Sequence, residues 1–144
     1  MAMKLIRTQA GDGIFVNLIK DDRFKHDRIA VNFILPLARE TATGYALLPF
    51  LMQRGYAGCS DFTAFARKLD ELYGATVAGK VSKAGNYQII TLTITHVDDR
   101  YTLNGEPLAE ECARLLAEIV TLPALENGRF DPEAVATEKN SLAD

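Results

Sequence analysis

The sequence predicts an α+β domain in which helices pack on one face of an antiparallel sheet, in the order ββ-αα-ββ-αα. Two observations predict this class. Apolar and polar residues alternate in two pairs of segments, as is typical of strands with one buried face. Between and after these pairs, apolar residues recur at helical spacing, in segments bounded by capping residues or glycine.

Four strands are predicted from the alternation. Ile14–Lys20 and Ile29–Leu35 each place their apolar residues on one face, and the charged segment between them predicts a hairpin with a long loop. Thr76–Lys83 and Tyr87–Val97 flank the turn Ala84-Gly85-Asn86, so we expect these two strands to pair as well.

The first helix is expected to begin after Thr41 or Thr43 and to run to about Arg54, with Gly55 as its stop. Pro49 lies inside this segment. A proline in a helix interior removes an N–H donor and costs ~3 kcal/mol. The helix is therefore expected either to kink at Pro49 or to begin later.

Three further helices are predicted. Phe62–Tyr73 is capped by Ser60 or Asp61 and ends at Gly74, and Leu108–Leu122 follows the second strand pair. The last helix begins at Asp131-Pro132-Glu133, an N-cap residue followed by a proline at the first helical position. The predicted buried stripes are Phe62, Phe65, Leu69 and Leu72, and Leu108, Cys112, Leu115, Ile119 and Leu122.

Composition bounds the possible functions. A chain of 144 residues predicts a single domain, residues 1–144. The net charge of −3 and the absence of a basic run argue against nucleic acid as a partner. No apolar run approaches the ~20 residues of a membrane span, and the start of the chain lacks the apolar core of a signal peptide. Cys59 and Cys112 lie far apart, so we expect free thiols. Free thiols and the lack of a signal-peptide core are what we expect of a cytoplasmic protein.

Several small polar clusters are expected to be ordinary surface or structural features. His96-Val97-Asp98-Asp99 could hold a metal, but it is more typical of a strand end that enters a turn. His26 is expected in a solvated loop, and Asp21-Asp22 and Asp70-Glu71 on plain surface. Gly11-Asp12-Gly13 does not lie between a strand and a helix, as a phosphate-binding loop does.

A set of short segments follows the order and spacing seen in one known family. The segments are Leu47–Gly55, Leu72-Tyr73-Gly74-Ala75, Leu122-Pro123, Phe130-Asp131-Pro132-Glu133 and Glu138-Lys139. In this order the chain resembles the insulinase/pitrilysin family of zinc peptidases over nearly its whole length. It looks most like a bacterial branch that lacks the zinc motif and occurs beside an active paralogue.

The resemblance implies a peptidase fold without peptidase chemistry. In active members the first helix carries H-x-x-E-H, in which two histidines bind zinc and the glutamate is the general base. The matching positions here are Pro49, Met52 and Gln53, and none of them supplies these groups. The family's third ligand, a glutamate after the position of Glu138, would fall just past Asp144. We therefore expect no catalytic residue, no metal site and no cofactor in this chain.

The resemblance also implies a peptide-binding strand. In active members the strand after the Gly-Ala motif pairs with the substrate backbone, and strand addition needs only main-chain groups. The matching residues are Thr76, Val77, Ala78, Gly79, Lys80 and Val81. Ala78-Gly79 replaces the family's usual Asn-Ala, and Gly79 leaves room for a close backbone approach. An ordinary edge strand blunted by Lys80 and Lys83 is the alternative.

The resemblance implies a catalytically inactive domain, excised from a longer chain. Its expected partners are further domains of that chain, an active zinc peptidase paralogue and extended peptides, which it would help to grip. One alternative is an active zinc metalloendopeptidase whose H-x-x-E-H motif lies outside these residues. Another is an unrelated α+β binding domain that shares only the architecture.

Overall fold

The structure is a computed structural model that describes residues 3–144. Its elements are β1 (Lys4–Gly11), β2 (Ile14–Lys20), β3 (His26–Pro36), α1 (Ala42–Met52), α2 (Phe62–Glu71), β4 (Thr76–Ala84), β5 (Tyr87–Val97), a short 3₁₀ turn (Asp99–Tyr101), α3 (Leu108–Thr121) and α4 (Pro132–Ala143). The antiparallel strands and the α-helices confirm the predicted α+β class, and one strand precedes those that were predicted.

The first two strands form a hairpin of their own. β1 was not predicted, and it pairs with β2 in the register Lys4↔Lys20, so the predicted pairing of β2 with β3 is wrong. The reason is the tight turn at Asp12-Gly13, where Gly13 has a φ of 68°. A short turn of this composition closes a hairpin more readily than a long charged loop. The segment Gly11-Asp12-Gly13 therefore makes a hairpin turn.

The remaining strands form a three-stranded antiparallel sheet in the order β3-β5-β4, and β5 is its centre. Its Leu92 and Ile94 are fully buried, under the α3 side chains Leu108, Cys112, Leu115, Leu116 and Ile119. Each such apolar side chain contributes roughly 1.5–3 kcal/mol when it leaves water. The predicted stripe of α3 is confirmed except at Leu122, which is 52% exposed.

The helices cover one face of the sheet, as predicted. Successive residues of a strand point to opposite faces. On the even-numbered face of β5, the Gln88 side chain donates to the Ala42 carbonyl of α1, and Leu92 lies in the α3 cluster. On the other face, Thr91 donates to the Asn32 side chain and Thr93 to the Ala78 carbonyl.

The helix ends follow the predicted capping residues in part. Asp61 accepts from the Ala64 N–H and Asp131 from the Ala134 N–H, so two of the predicted caps are confirmed. The first helix ends at Met52, two residues before the predicted end. A late start at Pro49 is excluded because the helix begins at Ala42 and continues through the proline.

Two more details complete the fold. Phe62 is 69% exposed, so the predicted stripe of α2 is wrong at that position, whereas Phe65 is buried. Within residues 3–144 no helix is both long enough and apolar enough to cross a membrane.

Candidate functional site

The end of α1 meets β4 at Pro49 and Gln53, two of the positions that the resemblance aligns with the zinc motif. Pro49 is fully buried, and a Cβ built on Gly79 would lie 2.5 Å from the Pro49 carbonyl oxygen. Because real Cβ atoms do not approach backbone so closely, only glycine fits at this point of β4. The room for a close backbone approach at Gly79 is therefore occupied by α1 of the same chain.

Gln53 makes the second contact between the same two elements. Its side-chain Oε1 accepts a hydrogen bond of 2.8 Å from the Gly79 N–H. Gln53 and Pro49 are four residues apart, so they lie on the same side of the helix end. Pro49 covers Gly79 sterically, and Gln53 accepts the hydrogen bond from its main-chain N–H.

These side chains do not fit a zinc ion. Pro49 has no side-chain donor atom, and the Gln53 oxygen is engaged by Gly79. Met52, at the position of the general base, packs against the main apolar core. A catalytic zinc site uses three protein ligands drawn from His, Cys, Asp and Glu, and no group of three such residues converges anywhere in residues 3–144. No metal-dependent chemical step follows from these side chains.

The bond to Gln53 also shows which residues of β4 face outward. Gly79 is opposite Leu92 in the register, yet its N–H points away from β5, toward Gln53. In an antiparallel pair, outward-pointing and paired residues alternate. Val77, Gly79 and Val81 therefore present their main-chain groups to the outer edge of β4. Among the described residues, β4 is an edge strand.

The predicted peptide-binding residues thus separate into two sets. Thr76, Ala78 and Lys80 pair with β5 through Thr95, Thr93 and Thr91. Their main-chain groups are used inside the sheet, because they alternate with the outward ones. The outer set is Val77, Gly79 and Val81, and the Gly79 donor is already bonded.

A cavity adjoins this edge on the side of the helices. It has a volume of about 390 Å³ and is lined by Gln53, Phe65, Leu69, Val77 and Glu138, among others. Arg54 closes it toward α4, because its Nη1 lies 3.5 Å from the Glu138 Oε1 and donates to the Ala134 carbonyl at 3.4 Å. Apolar walls with a charged rim suit an apolar side chain better than a charged one.

The other polar clusters are not brought together into a site. His96 is buried, and its Nδ1 lies 2.7 Å from the Val97 carbonyl, whereas Asp98 bonds to the backbone and side chain of Arg100. The two hydrogen bonds from Arg100 lower the pKa of Asp98. His26 is exposed but lies in β3, so its predicted place in a loop is wrong.

The remaining candidates are structural. Asp21 pairs with Arg23 at 2.6 Å, and this hydrogen-bonded pair lowers the pKa of Asp21 to about 2. Asp70-Glu71 is exposed. Cys59 and Cys112 are free thiols, half-buried and buried, as predicted. Burial raises the pKa of Cys112 to about 11.

The chain is similar to a named protein and to a solved structure. No family model matches the chain. Over 130 residues it is 33% identical to a Bacillus subtilis (strain 168) protein named "Probable inactive metalloprotease YmfF", covering 90% of this chain and 30% of that protein. Over these residues the chain is a homologue of the protein that carries this name. It spans less than a third of that relative's length.

The same fold also occurs in a crystal structure. It superposes on a conserved protein from Enterococcus faecalis V583 with a TM-score of 0.88 and 30% identity, over 96% of this chain and 32% of that one. The words "probable inactive" in the name of the Bacillus subtilis relative agree with side chains at Pro49, Met52 and Gln53 that do not fit a zinc ion.

Sequence reasoning missed the role of Gln53 at the strand edge. It identified Gln53 only as a poor zinc ligand and Gly79 only as open space beside the backbone. The sequence does contain a glutamine at the expected end of the first helix and a glycine within the predicted strand. What the sequence does not give is the distance between them, which the structure sets at 2.8 Å.

Proposed function

We propose that this chain is a non-catalytic insulinase/pitrilysin-type domain of a cytoplasmic protein, and that it serves as the structural and peptide-gripping partner of an active zinc peptidase paralogue. The contact between α1 and β4 carries the proposal. Pro49 and Gln53, which the resemblance aligns with zinc ligands, contact Gly79 and leave the outward main-chain groups of Val77 and Val81 on the edge of β4. Such an arrangement can hold a peptide without cleaving one.

The β1–β2 hairpin supports a role in a larger assembly. Its two faces expose seven large apolar side chains, each between 42% and 63%: Leu5, Ile6, Ile14, Phe15, Val16, Leu18 and Ile19. Large exposed apolar patches mark interaction surfaces, and a lone two-stranded hairpin is marginally stable in water. Further domains of the same protein, or the paralogue, would cover this hairpin.

The outer edge of β4 supports peptide binding. Val77 and Val81 offer main-chain donors and acceptors there, and strand addition uses those groups without any metal. The neighbouring cavity of about 390 Å³ would receive one side chain of the bound peptide. Cleavage would take place on the paralogue.

The test is co-purification of the tagged chain with the zinc-bearing paralogue, followed by zinc analysis and a peptide-hydrolysis assay. We expect the chain alone to carry no stoichiometric zinc and to cleave nothing. We expect the complex to carry zinc and to lose hydrolysis when the glutamate of the paralogue's H-x-x-E-H is changed to glutamine. Zinc and hydrolysis without the paralogue would contradict the proposal and favour an active peptidase.

A restored variant is the matched control. Pro49→His, Met52→Glu and Gln53→His together rebuild the motif in this chain. We expect no hydrolysis from this variant alone, because a catalytic zinc site also needs a third protein ligand. Hydrolysis by the restored chain would show that the remaining machinery is present in it, against the proposal.

A further inference from the structure

The outer edge of β4 is interrupted at its middle residue. Val77, Gly79 and Val81 alternate along that edge, and of their three N–H groups the central one is bonded to Gln53 at 2.8 Å. An added strand forms its hydrogen bonds at regular intervals along an edge. A peptide lying on β4 therefore meets a competitor for the Gly79 donor.

We infer that Gln53 is an internal competitor that sets the strength and extent of peptide pairing on β4. This inference rests on the proposed peptide-gripping function and identifies the residue that regulates it. Gln53 stands at the end of α1, which Pro49 fixes against Gly79, so its amide is held at the strand edge. The ligand class is an extended peptide that is bound through its main chain.

Competition of this kind weakens binding without abolishing it. A peptide must either displace the Gln53 side chain or leave the Gly79 donor unused, while Val77 and Val81 stay available. Gln53 is half-buried and comes from a helix end, so its side chain can rotate away when a peptide carbonyl replaces it. The net value of one neutral hydrogen bond sets the size of the effect.

The test compares Gln53→Ala with the original chain in binding a fluorescein-labelled peptide of alternating threonine and valine flanked by lysines. We expect Gln53→Ala to bind about 2- to 10-fold more tightly, which corresponds to one neutral hydrogen bond. The same peptide N-methylated at every backbone amide should lose this gain, since neither of its edges can then add as a strand.

Two matched variants separate the edge effect from a loosened helix. Gln53→Glu keeps an acceptor oxygen at the edge and should bind like the original chain. Gln88→Ala removes another glutamine contact between α1 and the sheet, on the central strand instead of the edge. It should leave peptide affinity unchanged. A gain in Gln88→Ala equal to that in Gln53→Ala would overturn the inference.

Amide hydrogen exchange gives a readout that needs no peptide. The Gly79 N–H should exchange slowly in the original chain and in Gln53→Glu, and quickly in Gln53→Ala. Rapid exchange at Gly79 in the original chain would overturn the inference. Equal peptide affinity of the original chain and Gln53→Ala would overturn it too, while leaving the proposed function intact. No peptide binding by either protein would overturn peptide gripping itself, and the inference with it.

Discussion

The β1–β2 hairpin and the β3-β5-β4 sheet differ far more in burial than in sequence. All seven residues of β2 are exposed, although five of them are large and apolar. In β5, by contrast, Leu92 and Ile94 have no exposed surface. The difference lies in α3, which supplies the sheet with an apolar stripe, whereas no helix in residues 3–144 covers the hairpin in this way. Alternation identifies a strand, but a packed helix decides whether that strand is buried.

The most direct test of this difference in burial is to truncate one leucine in each region. Leu92→Ala should lower the free energy of unfolding by about 2–5 kcal/mol, because it opens a cavity under α3. Leu18→Ala, in a strand where that residue is 56% exposed, should cost less than about 1 kcal/mol. Urea unfolding followed by circular dichroism measures both. Equal losses would show that the hairpin is packed in solution.

A second pair of substitutions tests how closely α1 covers the sheet. Gly79→Ala should cost about 1–3 kcal/mol, since the new methyl group meets the Pro49 carbonyl at 2.5 Å and forces the two elements apart. Gly44 lies in α1, and a methyl group added there meets nothing within 4 Å. Gly44→Ala should therefore stabilise the helix by about 0.8–1 kcal/mol.

In thermal unfolding, Gly79→Ala should lower the melting temperature and Gly44→Ala should raise it if the contact is as described. A neutral Gly79→Ala would mean that α1 yields easily, and that the covered and uncovered regions differ less in packing than described above. The Gly44→Ala variant shows whether any loss at Gly79 is specific to the contact.

The sequence predicts the covered region well and the uncovered one poorly. The α3 stripe and the Asp61 and Asp131 caps are local features, so spacing alone identifies them. The pairing of β2 depends on whether β1 exists, and β1 shows little alternation because Leu5 and Ile6 are adjacent. Local pattern cannot decide between two possible partners for a strand.

For the candidate site, the sequence shows only which side chains are missing, namely the zinc ligands of the family that the chain resembles. The resemblance aligns Pro49, Met52 and Gln53 with the zinc motif, and their side chains supply none of the usual zinc ligands. The contact of Gln53 with Gly79 joins residues 26 positions apart and depends on where α1 ends. Helix ends are the least certain feature of a sequence-based prediction, and here the helix ends two residues early.

A third region, the loop around Leu103, is tied to the fold by hydrogen bonds. Leu103 is 86% exposed, yet its loop is tied down because its N–H donates to the Tyr73 hydroxyl. That hydroxyl in turn donates to Glu106 at 2.9 Å, and the Asn104 N–H donates to the same carboxylate. Hydrogen bonds from its own N–H and from that of Asn104, more than the one from Tyr73, lower the pKa of Glu106 to about 2.

This loop should therefore respond to acid. The folded pKa of Glu106 lies below its ordinary value of 4.5, so its contribution to stability is complete above that pH and is lost as pH falls toward about 2. Glu106→Gln should lower the melting temperature slightly at pH 7, and the gap to the original chain should close between pH 4.5 and pH 2. A gap that persists at pH 2 would mean that the shape of the side chain, and not its charge, holds the loop.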